Sequence, residues 1–135
     1  MADTCSPETR SRVMRSVKSQ DTAPEVALRK ALWARGVRGW RLHRADLPGK
    51  PDIAFGGESK LAVFVDGAFW HGHPDKYWPG RSGEYWDKKI ARNVERDKGV
   101  NESLRELGWA VVRVWDFEVE TDPAAVAARV TSELE

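Results

Sequence analysis

Two aspartates stand at the ends of short apolar segments, where side chains of neighbouring strands can meet. Asp52 begins the segment 52–55, and Asp66 directly follows the apolar run 61–65. A carboxylate pair at one sheet edge can bind Mg²⁺, which prefers oxygen ligands and keeps several of its own waters. The backbone carbonyl of Val65 is a further candidate ligand at this edge. Because aspartate is also common in turns, a purely structural role for both residues stays open.

Aromatic residues and histidines follow Asp66 in the segment Phe69-Trp70-His71-Gly72-His73. A histidine beside a metal-bound carboxylate can act as general base or acid, since its unperturbed pKa lies near neutrality. The two histidines can instead ligate a metal themselves, or be solvated loop residues. Two large aromatic side chains are costly to expose in a loop, and insertion into a stack of bases is one use for them.

Two further acidic residues lie on predicted helices. Glu25 ends the segment Thr22-Ala23-Pro24-Glu25, which has the form of a capping box, and it can also face the site from the helix N-terminus. Asp97 belongs to the polar segment 93–97, and such segments are mostly solvated helix faces. Each of these features alone is compatible with a metal-dependent enzyme and does not establish one.

Hydrophobic periodicity predicts the elements that must position these residues. Helices are predicted over residues 7–18, 22–35, 83–107 (with a break near Gly99) and 121–134. Strands are predicted over 40–42, extending towards Ala45, and over 52–55, 61–65 and 109–115. The order α-α-β-β-β-α-β-α predicts an α/β fold, in which a mixed β-sheet is flanked by helices on both faces.

Composition and charge limit the class of protein. The 135 residues are 41% hydrophobic and 32% charged, which predicts one globular domain over residues 1–135. No apolar run approaches the roughly 20 residues of a membrane helix, and the polar N-terminal residues 1–10 lack the apolar segment expected of a signal peptide. A single cysteine indicates a reducing, cytoplasmic setting without a disulfide framework. Residues 1–50 carry 11 Lys or Arg against 5 Asp or Glu, which indicates nucleic-acid contact or a solvated basic face.

Together these segments resemble the very short patch repair (Vsr) DNA mismatch endonucleases over residues 9–117. The blocks that carry the resemblance are Thr9-Arg10-Ser11, Met14-Arg15, Asp21-Thr22-Ala23-x-Glu25, Leu47-Pro48-Gly49-Lys50-Pro51-Asp52, Gly67-x-Phe69-Trp70-His71-x-His73, Trp86, Lys89-Ile90, Asn93-Val94-Glu95-Arg96-Asp97, Leu107-Gly108-Trp109 and Val114-Trp115. The most specific are Pro-Gly-x-Pro-Asp and Phe-Trp-His at this spacing. Residues 1–8 and 121–135 are expected at the periphery of the domain.

The resemblance implies a restriction-endonuclease-like fold and Mg²⁺-dependent nicking of duplex DNA, 5′ of the thymine in a T:G mismatch. By the same resemblance, Asp52 is the principal metal ligand, assisted by the Val65 carbonyl. His71 is the general base that activates water, and Glu25 and Asp97 support the active site. A monomer in the bacterial cytoplasm is expected, with mismatched double-stranded DNA and mismatch-repair factors as partners.

The resemblance also assigns the aromatic residues. Phe69, Trp70 and Trp86 match side chains that intercalate beside the mismatch, and Met14 matches a residue inserted from the N-terminal helix. This assignment gives a use to two of the seven tryptophans, an unusually large number for 135 residues.

Two departures from the family pattern change what is expected here. Asp66 stands where the best-known members carry histidine, so it can become a second metal ligand in a two-carboxylate site. Many members also hold a structural zinc through cysteines and a histidine. The corresponding positions here are Ala68, His73, Asp75 and Phe117, so we predict no structural zinc and expect Phe117 to fill the space by packing.

Two other functions stay open from the sequence. A related small nuclease can recognise another DNA lesion, structure or sequence, and substrate preference distinguishes it. A DNA-binding protein that lost catalysis is the third, but binding alone requires neither Asp52 nor His71.

Overall fold

A four-stranded mixed sheet organises residues 22–134, the part of the chain that this computed structural model describes. Its strands are β1 (Trp40–Leu42), β2 (Ile53–Phe55), β3 (Leu61–Asp66) and β4 (Ala110–Trp115), and they are adjacent in that order. β2 runs antiparallel to both β1 and β3, whereas β3 and β4 are parallel. The parallel pairing places the carboxyl ends of β3 and β4 side by side.

The helices are α1 (Ala23–Ala34), α2 (Glu84–Glu106), α3 (Asp116–Thr121) and α4 (Pro123–Leu134). The observed order is therefore α-β-β-β-α-β-α-α, and the sequence prediction omitted α3. This short helix begins where the Glu118 carboxylate accepts a hydrogen bond from the Trp115 N–H at 3.0 Å. The predicted helix over 7–18, including Met14, lies outside the described residues.

Two details of the predicted elements were also wrong. α2 continues through Gly99, because an exposed glycine in a long helix costs only about 1 kcal/mol. Ala45 lies in a turn rather than in an extension of β1.

Both faces of the sheet are covered, which explains the nearly continuous apolar run of β3. On one face α1, α3 and α4 pack against the strands, through Leu28, Leu32, Ile53, Phe55, Leu61, Val63, Val114, Val119, Val126, Ala127 and Val130. On the other face α2 covers Ala62 and Phe64 through Leu104 and Val100. α4 therefore contributes to the core, and the expectation that residues 121–135 are peripheral was wrong, because the stripe at 126, 127 and 130 needs a partner.

The turn before Asp52 is fitted closely against α2. Gly49 adopts a φ of +73°, and a Cβ there would lie 2.5 Å from Cγ1 of Val100. Only glycine combines this backbone conformation with so close an approach. The contact holds the turn, and hence the start of β2, against α2. No helix within residues 22–134 combines the length and apolar character needed to cross a bilayer.

Shortening Leu104 tests how firmly α2 is held to the sheet. Leu104 is fully buried, whereas Leu107, at the end of the same helix, is 55% exposed. We expect Leu104→Ala to lower the free energy of unfolding by about 2–5 kcal/mol, because it leaves a cavity under α2. Urea denaturation measures this, with Leu107→Ala as the matched control. Equal losses in the two variants would contradict the packing described.

Candidate active site

Asp52 is held at the end of β3 by a backbone hydrogen bond. It directly precedes β2, and the Val65 N–H donates to Oδ2 of Asp52 at 2.7 Å. The pKa of Asp52 is raised to about 7, mainly by burial and in smaller part by the negative charges of Glu25 and Asp66, whereas the hydrogen bond from Val65 and the charge of Arg113 oppose the rise. A carboxyl group that is costly to ionise by itself is well suited to bind a cation.

His43 joins Asp52 to α1, and the sequence prediction missed it. Its Nε2 lies 3.6 Å from Oε2 of Glu25, and its Nδ1 lies 3.9 Å from Oδ1 of Asp52. The antiparallel pairing of Leu42 with Ile53 brings the residue that follows β1 beside Asp52, and this register was not predicted from the sequence. The backbone supports the placement, since the His43 N–H donates to the Asp52 carbonyl at 3.3 Å.

Glu25 faces this cluster from the first turn of α1. Its side chain is only 4% exposed. The predicted capping box was wrong in its Thr22 half, since that side chain makes no capping hydrogen bond. Packing of α1 on the sheet, rather than a local cap, accounts for the burial of Glu25.

His71 lies between two carboxylates. Its Nδ1 forms a 2.5 Å hydrogen bond with Oδ2 of Asp97 on α2, and its Nε2 lies 3.9 Å from Oδ1 of Asp66. A carboxylate at Nδ1 selects the tautomer with its proton on that nitrogen, which leaves Nε2 able to accept a proton. The arrangement can therefore perform general-base chemistry at Nε2.

Arg113 is a second residue that the sequence prediction missed. Its Nη1 donates to both Asp66 oxygens, at 3.0 and 3.1 Å, and lies 3.6 Å from Oδ1 of Asp97. Its Nε donates to Oδ1 of Asn101 at 2.8 Å, and its guanidinium lies 4.1 Å from the centroid of the Phe64 ring. Burial raises the pKa of Asp66, and the charges of His71 and Arg113 oppose that rise. The sequence did offer a signal for Arg113, because it is the one charged residue within the apolar run 109–115.

The residues present fit a divalent cation. Two groups each bring three ligand atoms within 4.8 Å of one another: Glu25, His43 and Asp52, and Asp66, His71 and Asp97. Carboxylate oxygens suit Mg²⁺ or Mn²⁺. The raised pKa of Asp52 reflects burial first and neighbouring negative charge second, and a cation would offset both.

Three predicted DNA-contacting aromatic residues lie together beside the carboxylates. The ring centroids of Phe69, Trp70 and Trp86 lie 5.1–5.7 Å apart in edge-to-face contacts, and all three rings are partly exposed. Asn93 on α2 donates to the Trp70 carbonyl at 3.0 Å, which fixes the loop to the helix. We call these three rings the aromatic face.

Packing fills the positions where related proteins are expected to hold zinc. The His73 ring lies edge-on to Trp115 and Phe117, with centroids 4.7 and 4.9 Å apart. Its Nδ1 accepts a hydrogen bond from the Asp75 N–H at 3.0 Å. The expectation that Phe117 serves as packing is confirmed. Because Ala68 and Phe117 offer no ligand atoms, the donor set does not fit a four-ligand zinc site.

Comparison with known proteins finds a family of DNA endonucleases and several of its individual members. The family described as DNA mismatch endonuclease Vsr has a sequence model that matches residues 2–77. The chain is 43% identical over 134 residues to Type II nicking enzyme V.NmeDIP of Neisseria meningitidis serogroup C, covering 95% of this chain and 87% of that protein. It is 36% identical over 137 residues to DNA mismatch endonuclease Vsr of Escherichia coli K12, covering 100% of this chain and 86% of the relative.

The raised pKa of Asp52 predicts a pH-dependent stability of the metal-free protein. Between the unfolded pKa of about 4 and the folded value of about 7, the folded state binds more protons than the unfolded state. Stability from this group is therefore present at low pH and lost as pH rises through the folded pKa. We expect the Tm of the wild type to fall between about pH 5 and pH 8. The Tm of Asp52→Asn should fall less over the same range. Parallel Tm profiles of the two proteins would contradict this.

The Asp66–Arg113 pair predicts non-additive effects on stability. Arg113→Met leaves a buried carboxylate without its cation, which should cost about 3 kcal/mol, near the lower end for buried pairs. The double variant Arg113→Met, Asp66→Asn should lose less free energy of unfolding than Arg113→Met alone, because no unpaired buried charge remains. Urea denaturation of the four proteins of the cycle measures the coupling. Additive losses would show that the two side chains are independent.

Proposed function

Since this chain belongs to the Vsr family of DNA mismatch endonucleases, we propose that it nicks duplex DNA 5′ of the thymine in a T:G mismatch, with Mg²⁺ as cofactor. The observation that carries the proposal is a buried carboxylate suited to a cation, a carboxylate-oriented histidine and a partly exposed aromatic face beside them. The mixed sheet with helices on both faces supports a restriction-endonuclease-like fold.

Asp52 and the Val65 carbonyl would hold the cation, with Asp66 as the third candidate ligand. When bound, Mg²⁺ supplies positive charge beside the scissile phosphate and lowers the pKa of water. The N–H of Val65 keeps Asp52 oriented, because it occupies Oδ2 and leaves Oδ1 available. Glu25 and His43 surround the same carboxylate and support its orientation.

His71 would take a proton from the attacking water at Nε2. Asp97 holds the opposite nitrogen, which fixes the ring and stabilises the positive charge that develops on it. The water oxygen then bonds to phosphorus as the bond from phosphorus to the 3′ oxygen breaks, and the departing oxygen takes a proton from solvent to leave a 3′-hydroxyl. Arg113 keeps Asp66 and Asp97 in place on either side of the imidazole.

The aromatic face would insert beside the mismatch. Unstacking costs less at a mismatched pair than in intact duplex, so Phe69, Trp70 and Trp86 favour such sites without many base contacts. The basic residues of 1–50 would meet the DNA backbone, and Met14 would insert from the N-terminal segment. We further propose a monomer that acts in the bacterial cytoplasm alongside mismatch-repair factors.

A second candidate keeps the chemistry and changes the DNA target. Several relatives are named Type II nicking enzymes, and these names specify no mismatch. The aromatic face and the carboxylates would serve such an enzyme equally, so only substrate preference separates the two functions.

A nicking assay tests the proposal. Labelled duplexes carrying T:G, T:A or other mismatches are incubated with Mg²⁺ or EDTA. We expect Mg²⁺-dependent nicking 5′ of the thymine at T:G, abolished by Asp52→Asn and reduced about 10²–10⁴-fold by His71→Gln.

Glu95→Gln serves as a control, because Glu95 is an exposed residue of α2 that forms a surface ion pair with Lys98. Cutting of T:A and T:G at equal rates would favour the second candidate. Full activity of Asp52→Asn would refute the proposed metal site.

A further inference from the structure

The loop of residues 77–83 is pinned to α2 beside the aromatic face. The Tyr77 hydroxyl donates to Oδ1 of Asp87 at 2.5 Å, and the Gly80 N–H lies 3.1 Å from both oxygens of that carboxylate. Gly80 and Gly83 adopt φ values of +86° and +101°, which glycine tolerates without strain. One carboxylate therefore fixes the course of this loop before any ligand binds.

Arg81 projects from this loop between two aromatic rings. Its guanidinium lies 5.1 Å from the centroid of Trp78 and 5.7 Å from that of Phe69, which belongs to the aromatic face. The Arg81 N–H donates to the Trp78 carbonyl at 3.0 Å, so the turn itself places the side chain. Arg81 is exposed, and no carboxylate among residues 22–134 forms an ion pair with it. Its five N–H donors remain available.

Exposed aromatic residues extend the aromatic face on both sides of the loop. Trp78 is 52% exposed and Tyr85 is 67% exposed, and the Tyr85 ring lies 5.2 Å from that of Trp86. Exposed apolar area of this kind marks a binding surface. Planar bases stack on aromatic rings, and a guanidinium beside them can reach the edge of a neighbouring base.

We propose that Arg81 reads a guanine in a base pair flanking the nicked site. A guanidinium forms two hydrogen bonds with O6 and N7 of guanine, a contact that requires a fixed plane. Packing against Trp78 and Phe69 supplies that plane, whereas a phosphate contact would need only positive charge. This inference rests on the proposed function, because it assumes that the aromatic face enters the duplex beside the target.

Competition among duplexes tests the role of Arg81. A pool of T:G duplexes, randomised at the two base pairs on each side, is nicked, and kcat/KM is obtained for every flanking sequence. The wild type should favour guanine at one flanking position by about tenfold. Arg81→Ala should lose that preference. Arg81→Lys should also lose it while nicking the other duplexes within about twofold of wild type, since lysine retains charge but lacks the planar fork.

Two further variants separate base recognition from general effects. Arg105→Ala removes an equal charge from the far end of the 23-residue α2, about 30 Å away along the helix, and should leave the preference unchanged. Asp87→Ala should weaken the preference although Arg81 is intact, because the loop loses both of its anchors. Thermal unfolding of each variant establishes that it is folded.

Two results would overturn the inference. A uniform loss across all flanking sequences in Arg81→Ala, restored by Arg81→Lys, would indicate a phosphate contact. An unchanged preference for guanine in both variants would show that Arg81 does not recognise the flanking base pair. Failure of the wild type to nick T:G would instead refute the proposed function, and the same flanking comparison on whichever duplex it cuts would still test Arg81.

Discussion

The crowding of negative charge at the carboxyl end of β3 is the constraint on which the site depends. Four carboxylates converge there in surroundings that exclude much of the water: Glu25 from α1, Asp52 from the residue before β2, Asp66 from the end of β3 and Asp97 from α2. Unpaired buried carboxylates would be costly, so each has a compensating partner. The N–H of Val65, the imidazoles and Arg113 supply that compensation, and the remaining excess of negative charge favours a cation.

α2 aligns the carboxylates and His71 with the aromatic face. Asn93, Asp97 and Asn101 are spaced four residues apart and therefore lie along one face of the helix. They bind, in turn, the Trp70 carbonyl, His71 and Arg113. At the N-terminal end of the same helix, Trp86 belongs to the aromatic face and Asp87 pins the adjoining loop. A displacement of α2 would thus disturb the imidazole and the aromatic rings together.

Aromatic packing holds the segment that carries His71 against the end of β4. The edge-on contacts of His73 with Trp115 and Phe117 join the loop after β3 to the junction of β4 and α3. The carboxylate of Asp116 reinforces the junction by accepting a hydrogen bond from the Ala68 N–H at 3.2 Å. Such contacts provide cohesion without requiring the thiolate ligands that a metal cross-link needs.

Local patterns in the sequence were sufficient for much of the fold and for part of the site. Apolar runs predicted β3 and β4, and periodicity predicted α1, α2 and α4, because burial of one face imposes these patterns residue by residue. Residue type and spacing pointed to Asp52 and His71, and the resemblance to a known family added their expected roles and those of the aromatic residues. Contacts across the chain were not predictable: α3 and the burial of Glu25 depend on packing, and Arg113 meets Asp66 only through parallel pairing of β3 with β4. A residue pattern records which side chains prefer burial, whereas the partner of a buried charge is decided only when distant segments pack.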